Sequence, residues 1–191
     1  MRIHRNTVVI GAGQAGLAAS WWLVNRGVDH VVLERGRVAE KWRSQRWDSF
    51  TLLSPNWQTR LPGHAYAGPD PNGFMSGAQT ATFLADYARS FAAPVFGGVT
   101  ATAVRPCGLG WALTTSGGPL TACNVIVATG ELGVPYVPPV TLPTSVPALH
   151  TSDYRNPDGL PPGAVLVVGA GPSGQQIARE LAAAGRRVHL A

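Results

Sequence analysis

One pattern constrains this chain more than any other: an aliphatic strand, a glycine-spaced turn and a helix, written twice. Thr7-Val-Val-Ile10 leads straight into Gly11-Ala12-Gly13-Gln14-Ala15-Gly16, and Val165-Leu-Val-Val168 leads into Gly169-Ala170-Gly171-Pro172-Ser173-Gly174. After the first turn, Leu17, Ala18, Trp21 and Val24 recur at helical spacing up to Asn25, Gly27 supplies the stop, and His30-Val-Val-Leu-Glu34 reads as the next strand. After the second, a helix runs to about Ala184, and Gly185 stops it at the offset of Gly27. Continued further, the alignment puts the counterpart of Glu34 one position past Ala191. Strand, turn, helix, strand is the βαβ unit of parallel sheets, so the fold class is α/β.

Each glycine in such a turn answers a separate steric demand. The first permits the tight turn, the second lets a pyrophosphate approach the backbone, and the third lets helix and strand pack closely. Phosphate then sits at the helix N-terminus, where free N–H groups and the macrodipole favour negative charge. Glu34, about 20 residues on, is placed to accept hydrogen bonds from ribose hydroxyls. Two units in one chain imply two dinucleotides, a pair required when a flavin takes hydride from a nicotinamide.

Between the repeats the organisation is looser. Arg35–Phe74 is rich in Trp, Arg, Pro and Ser and shows few periodic signals, so it is expected to line a ligand site. A helix is expected over roughly Ala78 to Phe91, with Phe83, Leu84, Tyr87 and Phe91 inward. Short strands at Val99–Val104, Trp111–Thr115 and Leu120–Cys123 suggest an antiparallel meander, and Asn124–Gly130 reads as a separate buried strand ending in a small-residue turn. Proline-rich chain from Val134 to Pro162 reads as a linker. The expected domains are residues 1–133, a linker over 134–162, and the opening βαβ unit of a second domain over 163–191.

Composition narrows the function class. The formal charge of +5 comes from scattered arginines, since Lys41 is the only lysine, and no concentrated basic face suggests nucleic acid. Cys107 and Cys123 form neither a Cys-x-x-Cys redox motif nor a metal-ligand spacing. No apolar run approaches the roughly 20 residues of a membrane span. The opening Met1-Arg-Ile-His-Arg-Asn-Thr7 has no signal-peptide apolar core, so a cytoplasmic location is expected.

With both glycine turns and the Trp/Arg-rich stretch set out, the chain resembles the two-dinucleotide-binding flavoproteins over essentially its whole length. Within them it resembles the flavin-containing (class B) monooxygenases. Gly11, Gly13, Gly16 and Glu34 match that family's FAD fingerprint, with Gln14, Ala15 and Arg35 beside them. Lys41-Trp42-Arg43, followed by Arg46-Trp47-Asp48, resembles its Gly-x-Trp-Arg stretch near the flavin, with Glu40 and Lys41 replacing the usual glycines. Ala128-Thr129-Gly130, with Pro135 beyond, resembles the segment joining its FAD and NADPH domains. His150-Thr-Ser-Asp-Tyr154 matches the His-x-x-x-Tyr half of the monooxygenase signature, while Thr144 and Val146 replace the Phe-x-Gly half.

The resemblance implies a Rossmann-like FAD-binding domain, with a parallel sheet and a small antiparallel meander, followed by the start of a second, NAD(P)-binding domain. It implies FAD and NADPH as cofactors, with NADH left open, and oxygen transfer from O₂ to a small-molecule substrate through a flavin C4a-peroxide. In that reading Asn56 hydrogen-bonds the peroxide and Arg43 stabilises negative charge on the ring or adduct. Trp42, Trp47 and Trp57 offer flat surfaces beside the flavin, while Gly169, Gly171, Pro172, Ser173 and Gly174 cradle the nicotinamide cofactor's pyrophosphate. Plainer readings compete: core packing for each tryptophan, a Pro-Asn turn for Asn56, an arginine partner for Asp48, and solvated helix-end residues for Arg186 and Arg187. A disulfide reductase of the thioredoxin-reductase kind would need a redox cysteine pair. Members of the resembled family are much longer, so the chain reads as an N-terminal fragment, and the alternatives are a truncated, catalytically inactive dinucleotide-binding remnant or a non-monooxygenase flavin reductase.

Overall fold

The computed structural model describes residues 3–130, 134–139, 143 and 145–191. The domain boundary expected at Gly133 and the Thr144 position of the signature lie outside these residues. Strand β1 covers Ile3–Ile10, starting four residues before the expected Thr7. Polar His4-Arg5-Asn6 concealed that start, because backbone pairing with Leu120–Ala122 holds it rather than burial of an aliphatic run. Helix α1 (Gln14–Asn25) ends where Gly27 turns left-handed at φ 64°. There the Gly27 and Val28 amides donate to the carbonyls of Val24 and Leu23, satisfying groups the helix end leaves open. Strand β2 (His30–Glu34) then lies parallel to β1.

The stretch expected to lack elements contains helix α2 (Glu40–Ser44), a single 3₁₀ turn at Asn56–Gln58, and a hairpin of β3 (Arg60–Leu61) and β4 (His64–Ala65). These elements are too short to leave a periodic signature. Helix α3 (Gly77–Ser90) opens with a capping box: the Gln79 amide donates to the Ser76 hydroxyl, and the Ser76 amide donates to the Gln79 side chain. Strand β5 (Val95–Gly97), which the sequence reading passed over, pairs with β2.

Strands β6 (Ala101–Cys107), β7 (Gly110–Thr115) and β8 (Leu120–Val127) form the expected meander, with one correction. Leu120–Cys123 and Asn124–Val127 are one strand. Its first half pairs with both β7 and β1, its second half with β1 alone, and the change of neighbours gives the halves different patterns. The meander therefore joins the parallel strands in one six-stranded sheet of order β5-β2-β1-β8-β7-β6. On one face Val9 and Val32 pack with Leu17, Leu84 and Tyr87 of α1 and α3. On the other, Val8, Val31 and Leu33 pack with Leu113 and Ala122 of the meander. Burial on both faces is what lets β1 and β2 read as continuous aliphatic runs.

The second unit consists of β9 (Val165–Val167), α4 (Pro172–Ala183) and β10 (Val188–Leu190), and repeats the first in register. Thr7 faces His30 in the first unit and Val165 faces Val188 in the second, at the same offset from their glycine turns. The Gly11 amide donates to Leu33 and the Gly169 amide to Ala191, each at 2.7 Å. The part of the expected linker nearest this unit is engaged in packing. Tyr154 and Leu160 join Val167, Ile177 and Leu181 in a third apolar cluster, whose other members include Trp47 and Phe50 from the segment after α2.

Candidate functional site

The carboxyl ends of β1, β2 and β8 converge on the first glycine turn, the crevice where open α/β sheets take ligands. Gly11 holds φ 109°, a conformation that side chains rarely adopt, and a Cβ there would lie 2.4 Å from the Ala128 carbonyl oxygen. A Cβ on Gly16 would lie 1.9 Å from the Gly11 carbonyl oxygen, so the helix approaches the turn only because the residue is glycine. Gly13 differs, since a Cβ there would meet nothing within 4 Å. The middle glycine thus faces open space, where a ligand can reach the backbone.

Helix capping separates this turn from an ordinary helix start. The Ser76–Gln79 box satisfies amides at the start of α3, whereas α1 begins at Gly13 with no side-chain cap and no acidic residue in its first turn. Gln14 and Ala15 are exposed there. Helix α4 repeats the arrangement: Gly171 is its N-cap, no side chain caps it, and Pro172 and Ser173 are exposed in its first turn. Uncapped N-termini keep amide donors and the positive end of the helix dipole available to an anion. Gly169 has φ 106°, and a Cβ on Gly174 would again lie 1.9 Å from the carbonyl oxygen of the turn's first glycine.

Glu34 is oriented by the backbone. Its carboxylate accepts from the Ala12 amide at 2.8 Å and from the Gly36 amide at 3.0 Å, one bond on each oxygen. A carboxylate has about four lone-pair sites, so acceptor capacity remains for hydroxyls. Arg35, the next residue, is exposed. Ala128 is anchored by its amide to the Ile10 carbonyl at 2.8 Å, and Thr129 and Gly130, the latter at φ 79°, extend the same rim.

Sequence reasoning missed one residue here. The Lys41 ammonium donates to the Thr129 carbonyl at 3.0 Å, carrying a cation from α2 to the rim. Its standing as the chain's only lysine was the available signal. Glu40, the other departure from the resembled stretch, bonds the Arg37 side chain at 2.8 Å and 3.2 Å. That hydrogen bond is the main reason its carboxyl is held down to about 2.

The remaining candidates lie in other surroundings. Trp42 is half-buried, with the Arg46 guanidinium over its ring at 4.9 Å and Phe50 tilted against it. Burial lowers the pKa of that guanidinium. Arg43 is exposed and donates to the carbonyls of Val38 and Ala81 at 3.4 Å each. Trp47, only 4% exposed, meets Phe50 edge-on in the third apolar cluster, the packing role weighed for it above. Asn56 is equally buried and donates its amide to the Asp70 carbonyl at 2.8 Å, while its side-chain oxygen has no partner among the described residues. Trp57 is half exposed. Asp48 pairs with Asn156 at 2.7 Å. Among the described residues, no hydrogen bond joins Arg43, Asn56 or Trp47 to the first glycine turn.

Similarity to known proteins follows the same lines. An oxidoreductase of Geobacillus kaustophilus, named as uncharacterized and CzcO-like, is 40% identical over 179 residues, which is 92% of this chain and 51% of that protein. The indole-3-pyruvate monooxygenase YUCCA1 of Oryza sativa subsp. japonica is 35% identical over 180 residues, 91% of this chain and 44% of that protein. The chain thus spans about half the length of the curated relatives it matches. Among solved structures, a flavin-containing monooxygenase from Stenotrophomonas maltophilia superposes with a TM-score of 0.86 at 28% identity, over 98% of this chain and 57% of that one. Residues 8–191 match the model of one family, and the chain belongs to it: the pyridine nucleotide-disulphide oxidoreductases.

Proposed function

We propose that this chain is the dinucleotide-binding portion of an FAD- and NAD(P)H-dependent oxidoreductase of monooxygenase type. The observation that carries the reading is the pair of glycine turns in one register, each opening a helix with an uncapped N-terminus. In this assignment residues 1–133 hold FAD, residues 134–162 connect, and residues 163–191 begin the unit for NADPH or NADH. The open space at Gly13, the Gln14 and Ala15 amides at the start of α1, and the backbone-held Glu34 fit a dinucleotide's pyrophosphate and ribose. Bound there, FAD would supply hydride acceptance and oxygen activation. The protein's own groups bind and orient: the α1 amides take phosphate oxygens, Glu34 accepts from ribose hydroxyls, and the Ala128–Gly130 rim flanks the turn. Trp42, Arg43, Trp47 and Asn56 are proposed to support the flavin end, with Trp47 and Asn56 acting through the packing of their segments.

Oxygenation of a small molecule is proposed for the whole protein, in keeping with the monooxygenases among its relatives and structural neighbours. Among the described residues no helix is long and apolar enough to cross a membrane. The test is titration of the purified chain with FAD, followed by absorbance and flavin fluorescence. Stoichiometric binding, weakened in Gly13→Val and Glu34→Gln, is the expected result. Protein that stays colourless at high FAD would overturn the assignment. NADPH and NADH added to the loaded protein then separate a reductase-competent chain from a binding remnant.

A further inference from the structure

Lys41 reaches from α2 to the Ala128–Gly130 rim, which borders the first glycine turn. Its ammonium rests on the Thr129 carbonyl at 3.0 Å, and a Cβ on Gly130 would lie 3.2 Å from the nitrogen. The same rim touches the turn, since a Cβ on Gly11 would meet the Ala128 carbonyl oxygen at 2.4 Å and the Thr129 Cα at 3.4 Å. An ammonium has three donors, and the Thr129 carbonyl takes one. Among the described residues Lys41 has no carboxylate within ion-pair distance: Glu40 pairs with Arg37, and Glu34 is turned to the amides of Ala12 and Gly36. Holding a long side chain on a carbonyl costs conformational freedom, and the result is a full positive charge on the rim that borders the first glycine turn.

Resting on the dinucleotide reading of this turn, we propose that Lys41 is a pyrophosphate-binding residue of the first site. The cradle made by Gly11–Gly16 offers only neutral donors. Lys41 adds formal charge from the Ala128–Gly130 rim, with Thr129 keeping the ammonium there before the ligand arrives. A charge-assisted bond to a phosphate oxygen is the strong kind, so the effect should follow phosphate and spare the nucleoside.

The experiment compares ADP with adenosine by isothermal titration of the 191-residue chain and its K41M, K41Q and K41R variants, with the melting temperature of each unliganded protein recorded. Lys41→Gln keeps a donor for the Thr129 carbonyl while deleting the charge, and so separates binding from tethering. ADP affinity is expected to fall about tenfold in K41M and K41Q, with adenosine affinity unchanged and K41R close to wild type. Equal losses for ADP and adenosine, or no loss with ADP, would make Lys41 a tether only and overturn the inference while leaving the dinucleotide site standing. Wild-type chain that binds neither ADP nor FAD would overturn the site itself, and this inference with it.

Discussion

Replacing Gly16 by alanine tests the geometry of the first turn most directly. The new Cβ would sit 1.9 Å from the Gly11 carbonyl oxygen, and contacts under 3.0 Å do not occur, so backbone must recede by more than 1 Å. The obstacle cannot rotate away as a side-chain end could. Gly11 is itself hemmed in by the Ala128 carbonyl, so the displacement passes into the β1–β8 pairing. Overpacking of this kind costs about 1–3 kcal/mol, and rigid backbone on both sides puts this case at the upper end. Alanine's helix propensity returns at most about 1 kcal/mol, leaving a net loss of about 2 kcal/mol. Urea unfolding followed by circular dichroism measures it. Gly13→Ala is the control: its Cβ meets nothing within 4 Å and its φ of −88° suits alanine, so the stability loss should stay below about 1 kcal/mol. A G16A protein as stable as wild type, or a G13A protein destabilised equally, would show that the turn is not closed against backbone at Gly16.

Two further outcomes follow from ionisable groups. In Arg37→Gln the Glu40 carboxyl should return from about 2 to the usual range near 4.5, read by NMR titration. The stabilisation it represents is present above the ordinary carboxylate range and is lost as pH falls toward about 2, and a midpoint that stays put would contradict the Arg37 assignment. Tyr87 is fully buried, its hydroxyl has no partner among the described residues, and burial pushes its phenol up to about 12. The neutral phenol's contribution is complete below about pH 10 and is lost as pH rises through about 12. Tyr87→Phe should therefore match or exceed wild-type stability by about 1 kcal/mol at neutral pH and unfold at higher pH in alkaline titration, and an unchanged alkaline limb would count against this account.

The parts of the fold that repeat were legible because their physics repeats. Two aliphatic strands, two glycine triplets and two stopping glycines forecast two units, and these share one register down to matching turn hydrogen bonds. Strand β8 was misread as two because it changes neighbours halfway, which a linear pattern does not record. The elements of residues 35–74 escaped because the five-residue α2 and the two-residue strands of the β3–β4 hairpin are too short to show internal periodicity. At the candidate site, the glycines and Glu34 could be read from type and spacing. Lys41 could not, since its partner lies 88 positions away. Trp47 drew notice as an aromatic near a basic stretch, yet its place is set by Tyr154, Ile177 and Leu181.

The third apolar cluster bears on where this protein can be cut. The proline-rich stretch is where composition changes, and it invites division into two pieces. Yet α4 buries Ile177 and Leu181 against Trp47, Thr51 and Gln176 exchange two hydrogen bonds, and the Asp48 amide donates to the Arg155 carbonyl. A break within that stretch would strip the downstream piece of its largest aromatic neighbour and leave the upstream piece with an uncovered indole. The seam of stability therefore runs beneath the segment after α2, and the two halves of the repeat are expected to melt as one.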